Sequence, residues 1–192
     1  MKLRNLPNIL SVIRICLVGV FVFVFFNDYP NNLFGALIVF LTAGLTDVID
    51  GFLARRFNWI TNLGKILDPL ADKLMQCTVL VCMLIKKLIP AWLVFPFIIK
   101  EFLMLVGGLF IIKKRKVVVV SNIFGKITVV FFYVAVALCI LARDFLAQNP
   151  VILYVICALM LTAATSALVN YASSYFKTLK INDSSSAVET AQ

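Results

Sequence analysis

Long apolar runs recur through the chain, with short polar links between them. A helix needs about 20 apolar residues to cross the hydrocarbon core of a bilayer, and it satisfies its own backbone hydrogen bonds there. Six segments have that character. They are Leu6 to Phe26, Leu33 to Phe57, Gly64 to Ile85, Pro90 to Ile112, Ser121 to Ala142 and Val151 to Phe176. The sequence therefore predicts an all-α, polytopic membrane protein, a bundle of six transmembrane helices.

The composition agrees with a membrane protein of one domain. The chain has 192 residues, of which 62% are hydrophobic, and its mean hydropathy of +1.04 is too high for a soluble domain. We expect residues 1–180 to form one transmembrane domain, without an internal repeat or an appended soluble domain. The tail 181–192 is predicted to be disordered, because its polar composition cannot bury a core.

The lack of His and the positions of Cys exclude several kinds of catalysis. The chain has no His, so His-based nucleophilic or acid–base chemistry is excluded. Its five Cys lie in apolar runs and form no CxxC pair, which favours small buried side chains over a disulfide or a metal site. General acid–base catalysis would therefore require a carboxylate, a Lys or a Tyr.

The positive charges lie mainly on one side of the predicted bundle. The formal net charge is +9, and 14 of the 18 Lys and Arg fall on the side of both termini, whereas three fall on the other. Positive residues stay on the cytoplasmic side and attract anionic lipid headgroups. We therefore predict a multi-pass protein of the cytoplasmic membrane with both termini inside, contacts with membrane lipids and no nucleic-acid partner.

Four of the nine acidic residues lie in the stretch from Asp47 to Asp72. Asp47 and Asp50 are three residues apart, and Asp68 and Asp72 are four apart, so each pair shares one face of a helix. The first pair ends the second run and the second pair begins the third, which predicts a helical hairpin with all four carboxylates on the cytoplasmic side. A single Asp could cap a helix or pair with a cation, but two pairs at membrane depth favour a functional site.

Four carboxylates gathered in one place require cations. Like charges at such short distances cannot all stay ionised unless they are neutralised. Oxygen ligands suit hard divalent ions, Mg²⁺ first and then Mn²⁺ or Ca²⁺, and two ions about 3.5–4 Å apart suit this many carboxylates. The sequence thus predicts a site for two Mg²⁺ or Mn²⁺ ions.

The same stretch resembles, without a gap, the motif of the CDP-alcohol phosphatidyltransferase family. The matching residues are Asp47, Asp50, Gly51, Ala54, Arg55, Gly64, Asp68 and Asp72, at the spacing D-x2-D-G-x2-A-R-x8-G-x3-D-x3-D. The resemblance implies an enzyme that transfers the phosphatidyl group of a CDP-linked lipid to an alcohol and releases CMP. It also implies a homodimer, which is usual in that family.

The resemblance implies a role for each matching residue. The four Asp would hold the metal ions, and Asp72 would also be the base that takes the proton of the acceptor hydroxyl. Gly51 and Ala54 lack bulk, so a nucleotide can approach the backbone closely, and Arg55 would pair with a phosphate oxygen. Gly64 would let the link turn near the nucleotide. The implied CDP-lipid site is Asp50, Gly51, Ala54, Arg55, Gly64 and Asp68.

Further stretches resemble the phosphatidylglycerophosphate synthases of that family, which use CDP-diacylglycerol and glycerol 3-phosphate. These stretches are Pro7 to Arg14, Pro90 to Trp92, Ile99 to Phe102 and Gly125-Lys126. Lys100 stands where those enzymes usually have Arg, and Gly107-Gly108 lies where a further Arg is usual. The phosphate of the acceptor would then rest on Lys100, Lys126, Lys113 and Lys114.

Alternatives remain open for several of these features. A cardiolipin synthase that uses phosphatidylglycerol, or an enzyme with another alcohol acceptor, fits the same central motif. Lys100 and Glu101 could form an internal ion pair, Arg14 could reach the near headgroups, and the basic segment from Lys113 could be only a topology signal. A small membrane transporter is the alternative from another class, since transporters also bury carboxylates.

Overall fold

The computed structural model describes residues 6–57, 64–115 and 123–189, and the regular structure in those ranges is entirely α-helical. The helices are α1 (Leu6–Phe26), α2 (Asn32–Arg56), α3 (Gly64–Ile85), α4 (Ala91–Arg115), α5 (Ile123–Leu141), α6 (Arg143–Gln148) and α7 (Pro150–Glu189). The predicted all-α class is confirmed.

Three of the described helices are long and apolar enough to cross a membrane. The spans are Asn8–Phe26, Asn32–Phe52 and Pro150–Asn170, with mean hydropathies of 2.8, 1.8 and 2.3. Large apolar side chains such as Phe23, which is 68% exposed, lie on the outside of the bundle, as expected where lipid replaces water. The protein is therefore a membrane protein, and the predicted count of six spans, with which this finding is compatible, stays a prediction.

The six long helices pack in a closed circuit. Helix α1 contacts α2 and α3, α3 contacts α4, α4 contacts α7, α7 contacts α5, and α5 returns to α2. Aromatic rings join the helices inside this circuit. The ring of Phe132 on α5 lies 5.1 Å from that of Phe97 on α4 and 6.1 Å from that of Phe40 on α2, measured between centroids. The apolar core therefore connects the helices that carry the acidic stretch with those that follow it.

A glycine permits the close approach of α2 and α5. A Cβ atom on Gly44 would lie 2.6 Å from Cζ of Tyr133, a distance at which the aromatic ring would have to move. The ring of Tyr133 is also stacked on Phe40, with 4.4 Å between centroids. Small residues at helix interfaces allow such close packing in membranes, and a side chain at position 44 would push the two helices apart.

Helical structure near the C-terminus extends beyond the six predicted runs. Residues 143–148, which lie in the link between the fifth and sixth runs, form the short helix α6, whose Leu146 is buried. Helix α7 begins at Pro150, a favoured first helical residue, and continues to Glu189. No Gly or Pro follows Pro150 to end the helix. The disorder of the tail 181–192 and the division at residue 180 stay predictions.

The fold brings the acidic stretch against the first helix. Asp47 and Asp50 lie near the C-terminal end of α2, and Asp68 and Asp72 lie in the first turns of α3, as predicted. Helix α1 packs on both α2 and α3. Its polar residues are therefore in position to meet all of the acidic helix ends.

Candidate active site

Helix α1 contributes a buried arginine to the acidic site. Only 1% of the Arg14 side chain is exposed, and its guanidinium lies between two carboxylates of α2. Nη1 is 2.7 Å from Oδ1 of Asp47, and Nη2 donates a hydrogen bond of 2.5 Å to Oδ2 of Asp50. Arg14 therefore pairs inside the bundle, and the alternative that it reaches the headgroups is wrong.

A serine one turn earlier on α1 binds the third aspartate. Ser11 is completely buried, and its hydroxyl donates a hydrogen bond to Oδ1 of Asp68. Residues three apart share a helix face, so Ser11 and Arg14 present one polar face to α2 and α3. Asp47, Asp50 and Asp68 lie close enough to interact electrostatically, and they thus converge on this face of α1.

The fourth aspartate is held from its own helix. The side-chain amide of Gln76, four residues later on α3, donates to both carboxylate oxygens of Asp72, over 3.1 and 3.2 Å. Lys73 Nζ lies 3.9 Å from Oδ2 of the same carboxylate. Asp72 keeps 19% of its side chain exposed, whereas Gln76 keeps 2%. Asp72 is therefore oriented by a buried amide, and about a fifth of its side chain stays exposed.

A buried ion cluster lies behind Asp72. Glu101 on α4 is 2% exposed and pairs with two lysines, Lys73 and Lys100. Lys100 also lies over the ring of Phe97, with Nζ 4.7 Å from the centroid, a cation–π contact. The internal ion pair of Lys100 and Glu101, one of the two alternatives for these residues, is therefore present.

A small cavity adjoins the same cluster. Its volume is about 40 Å³, which is room for a water molecule and too little for a sugar phosphate. The polar residues that line it are Lys73, Gln76, Lys100, Glu101 and Thr128. Lys100 thus lines a small cavity of mixed polar and apolar residues, and this cavity is next to Gln76, the hydrogen-bond donor to Asp72.

The residue types of the acidic site fit a divalent metal ion, but their arrangement here is that of an ion-paired site. Carboxylate oxygens are the ligands that Mg²⁺ and Mn²⁺ prefer. Among the residues that the structure describes, however, no group of three or more His, Cys, Asp or Glu is placed to hold a metal ion. Arg14 contacts one oxygen each of Asp47 and Asp50, and Ser11 binds one oxygen of Asp68.

The other predicted site residues are described only in part. Gly51 lies in α2, and Gly64 is the first residue of α3 and is buried. The remaining five lie in helices, but their side chains are outside the described residues: Ala54 and Arg55 in α2, Lys113 and Lys114 in α4, and Lys126 in α5. The fourth predicted run ends at Ile112, whereas α4 continues through the basic residues 113–115.

Sequence reasoning did not assign a role at this site to Ser11, Lys73 or Gln76. Ser11 and Gln76 are polar residues in apolar helices, at a helical spacing from a residue already of interest. Ser11 is three residues before Arg14, and Gln76 is four after Asp72. That spacing was the available signal, because residues three or four apart share a helix face. The pairing of Lys73 with Glu101 of another helix had no such signal.

The fold and the site together define a helical membrane protein with four motif aspartates at the ends of two helices. Residues 4–169 match the profile of the CDP-alcohol phosphatidyltransferase family. The chain belongs to this family, whose enzymes use divalent metal ions. Membership in an enzyme family removes the support for the transporter alternative.

Individual relatives match over different shares of their length. A CDP-diacylglycerol–glycerol-3-phosphate 3-phosphatidyltransferase of Bacillus subtilis is 35% identical over 135 residues, which cover 64% of this chain and 69% of the relative. A protein of the same name from Rickettsia bellii is 44% identical over 85 residues, 44% of this chain and 46% of the relative. A cardiolipin synthase (CMP-forming) of Streptomyces coelicolor is 35% identical over 108 residues, 55% and 50% respectively. The chain thus spans about half the length of the last two relatives.

Proposed function

We propose that this protein transfers the phosphatidyl group of CDP-diacylglycerol to glycerol 3-phosphate, releasing CMP and forming phosphatidylglycerophosphate. The observation that carries the proposal is the unbroken motif from Asp47 to Asp72, which lies inside the family match over residues 4–169. The names of the Bacillus and Rickettsia relatives support glycerol 3-phosphate as the acceptor.

In this reaction the hydroxyl oxygen of the acceptor attacks the phosphorus of the phosphatidyl group. The new P–O bond forms as the bond to the CMP phosphate oxygen breaks, and CMP leaves with the electron pair. Asp72 takes the proton of the attacking hydroxyl as general base. The two hydrogen bonds from Gln76 support this role, because they fix the carboxylate while leaving it partly exposed.

The four motif aspartates are the residues proposed to hold the metal, as two Mg²⁺ or Mn²⁺ ions. When bound, such ions neutralise the diphosphate and stabilise the leaving group. The nucleotide end of the CDP-lipid is proposed to lie along the same motif. Its contacts are Asp50, Gly51, Ala54, Arg55, Gly64 and Asp68.

The phosphate of glycerol 3-phosphate is proposed to bind Lys100, Lys126, Lys113 and Lys114. One observation supports this side of the site: Lys100 lines the small cavity beside Gln76. Since the cavity holds little more than water, acceptor binding requires Lys100 to leave Glu101 or the helices to move apart.

The proposed orientation places the acidic site and both termini on the cytoplasmic side, where CDP-diacylglycerol headgroups and glycerol 3-phosphate meet. The asymmetry of the positive residues supports this orientation. We further propose that the enzyme lies in the cytoplasmic membrane in contact with lipids and works as a homodimer, which is the usual state in this family.

A cardiolipin synthase that uses phosphatidylglycerol is the second candidate. Two sequence features favour it, the Lys at position 100 and Gly107-Gly108 in place of an Arg. The similarity to the cardiolipin synthase of Streptomyces coelicolor adds to them. An enzyme with another alcohol acceptor is the third.

The release of CMP from CDP-diacylglycerol tests the proposal. Purified protein with Mg²⁺ or Mn²⁺ is given glycerol 3-phosphate, phosphatidylglycerol or no acceptor. We expect release that depends on glycerol 3-phosphate, stops with a chelator and returns with excess metal. Release that depends only on phosphatidylglycerol selects the second candidate, and no release with any alcohol contradicts the family activity.

A further inference from the structure

Arg14 is a buried cation in direct contact with two proposed metal ligands. Its side chain is 1% exposed, and that of Asp50 is 4% exposed. The guanidinium is incompletely satisfied, since Nε is buried without an acceptor in the described part of the chain. Nη1 lies close to Asp47 but is not directed at it as a hydrogen bond. Arg14 thus holds Asp50 by a hydrogen bond and Asp47 mainly by charge.

A guanidinium and a divalent ion would compete for these two carboxylates. Arg14 contacts Oδ1 of Asp47 and Oδ2 of Asp50, and an Arg side chain stays positively charged in proteins. A divalent ion held by the same carboxylates would be repelled by this charge, and the repulsion is strengthened by the burial of Arg14 and Asp50.

We propose that Arg14 is an internal counter-cation, which holds Asp47 and Asp50 in the metal-free protein and leaves them when a divalent ion binds. This inference rests on the proposed function, because it requires that these aspartates bind metal. In the metal-free protein Arg14 supplies the positive charge that a buried carboxylate needs. It keeps the ends of α1 and α2 together, and it makes metal binding weaker than the four carboxylates alone would give.

The opposite arrangement is that Arg14 stays in place while Asp47 and Asp50 would also hold the metal. Arg14 would then orient the carboxylates for the metal. The two arrangements predict opposite changes when the charge at position 14 is removed. A competing cation lowers metal affinity, whereas an orienting residue raises it.

The test compares wild-type protein, Arg14→Gln and a control in detergent. Mn²⁺ binding is measured by calorimetry, and thermal unfolding is measured with and without Mn²⁺. For Arg14→Gln we expect Mn²⁺ to bind about 5- to 150-fold more tightly, the usual range of coupling between two binding events. The unfolding temperature without metal is expected to fall, and the increase caused by Mn²⁺ to exceed that of wild type. Arg143→Gln is the control, because Arg143 pairs with Asp144 at an exposed site and should change neither quantity.

Each outcome of this test supports or contradicts the proposed role of Arg14. Equal or weaker Mn²⁺ binding by Arg14→Gln overturns the role of Arg14 as a competing cation. If Arg14→Gln does not fold without metal, it is prepared with Mn²⁺ present. Recovery of folded protein then supports the proposal, since the metal replaces the missing charge, and failure to recover contradicts it. A wild-type protein that binds no Mn²⁺ contradicts the metal site of the proposed function instead.

Discussion

Replacement of Glu101 by Gln tests the buried ion cluster behind Asp72. Glu101 is 2% exposed and is the shared partner of Lys73 and Lys100. The substitution leaves the buried ammonium group of Lys100 and the partly exposed one of Lys73 without their carboxylate. Removing one partner of a buried ion pair costs about 3–5 kcal/mol. The lower end of this range applies here, because each lysine retains a second contact. Lys73 Nζ still lies 3.9 Å from Asp72, and Lys100 still lies over the ring of Phe97.

A loss of about 3 kcal/mol corresponds to a decrease of roughly 6–12 °C in the unfolding temperature of a chain of this size. A thiol-reactive dye measures the unfolding temperature. All five Cys are free, and the dye reaches the three buried ones, Cys82, Cys139 and Cys157, only when the protein unfolds. Asp144→Asn is the matched control. It breaks an exposed pair, which should shift the unfolding temperature by no more than about 2 °C.

A double variant separates lost charge balance from lost packing. Adding Lys100→Met to Glu101→Gln removes one of the two unpaired ammonium groups, and we expect it to recover about half of the decrease. An unfolding temperature of Glu101→Gln within about 2 °C of wild type would refute the reasoning that Glu101 neutralises both lysines.

The remaining predictions concern the base, the orientation and the acceptor. Asp72→Asn is expected to lower kcat at least about 100-fold at saturating metal without unfolding the protein; normal kcat removes Asp72 as the base. In a Cys-free background, Asn31→Cys should react with an impermeant thiol reagent in intact cells and Thr61→Cys should not; the reverse pattern places the site outside. Lys100→Met and Lys126→Met should each raise KM for glycerol 3-phosphate roughly 10- to 150-fold and leave KM for CDP-diacylglycerol nearly unchanged; normal values in both variants exclude them from the acceptor site.

The helices that carry the site could be predicted closely from the sequence. The limits of α1 and α3 are those expected, Leu6 to Phe26 and Gly64 to Ile85. Each helix coincides with a run of mainly apolar residues bounded by polar residues, Gly or Pro. Such signals are local, because they depend only on residues that are neighbours in sequence. The same signals predict the four aspartates at the ends of α2 and α3, because helical spacing alone sets which residues share a face.

The partners of the charged residues could not be predicted in the same way. A lone Arg in an apolar run either reaches the headgroups or pairs with an acid on another helix. Whether Arg14 reaches the headgroups or pairs with an acid depends on how α1 packs against α2 and α3. No local sequence pattern predicts that packing. Lys73 likewise lies beside Asp72 in sequence, yet its nearer partner is Glu101 on α4.

The helix ends near the C-terminus were predicted less well, for a different reason. Asn149 and Pro150 signal a break in the chain, and they do separate α6 from α7. The polar residues after Phe176 predicted the end of the sixth run, but polarity does not end a helix when no Gly or Pro interrupts it. The backbone of α7 accordingly continues to Glu189.

The lipid product itself tests the central claim most directly. Purified protein in vesicles is given CDP-diacylglycerol, glycerol 3-phosphate and phosphatidylglycerol together with Mg²⁺, and the lipids are identified by mass spectrometry. Our account predicts phosphatidylglycerophosphate in amounts equal to the CMP released. Cardiolipin without phosphatidylglycerophosphate, or no new lipid at all, would contradict it.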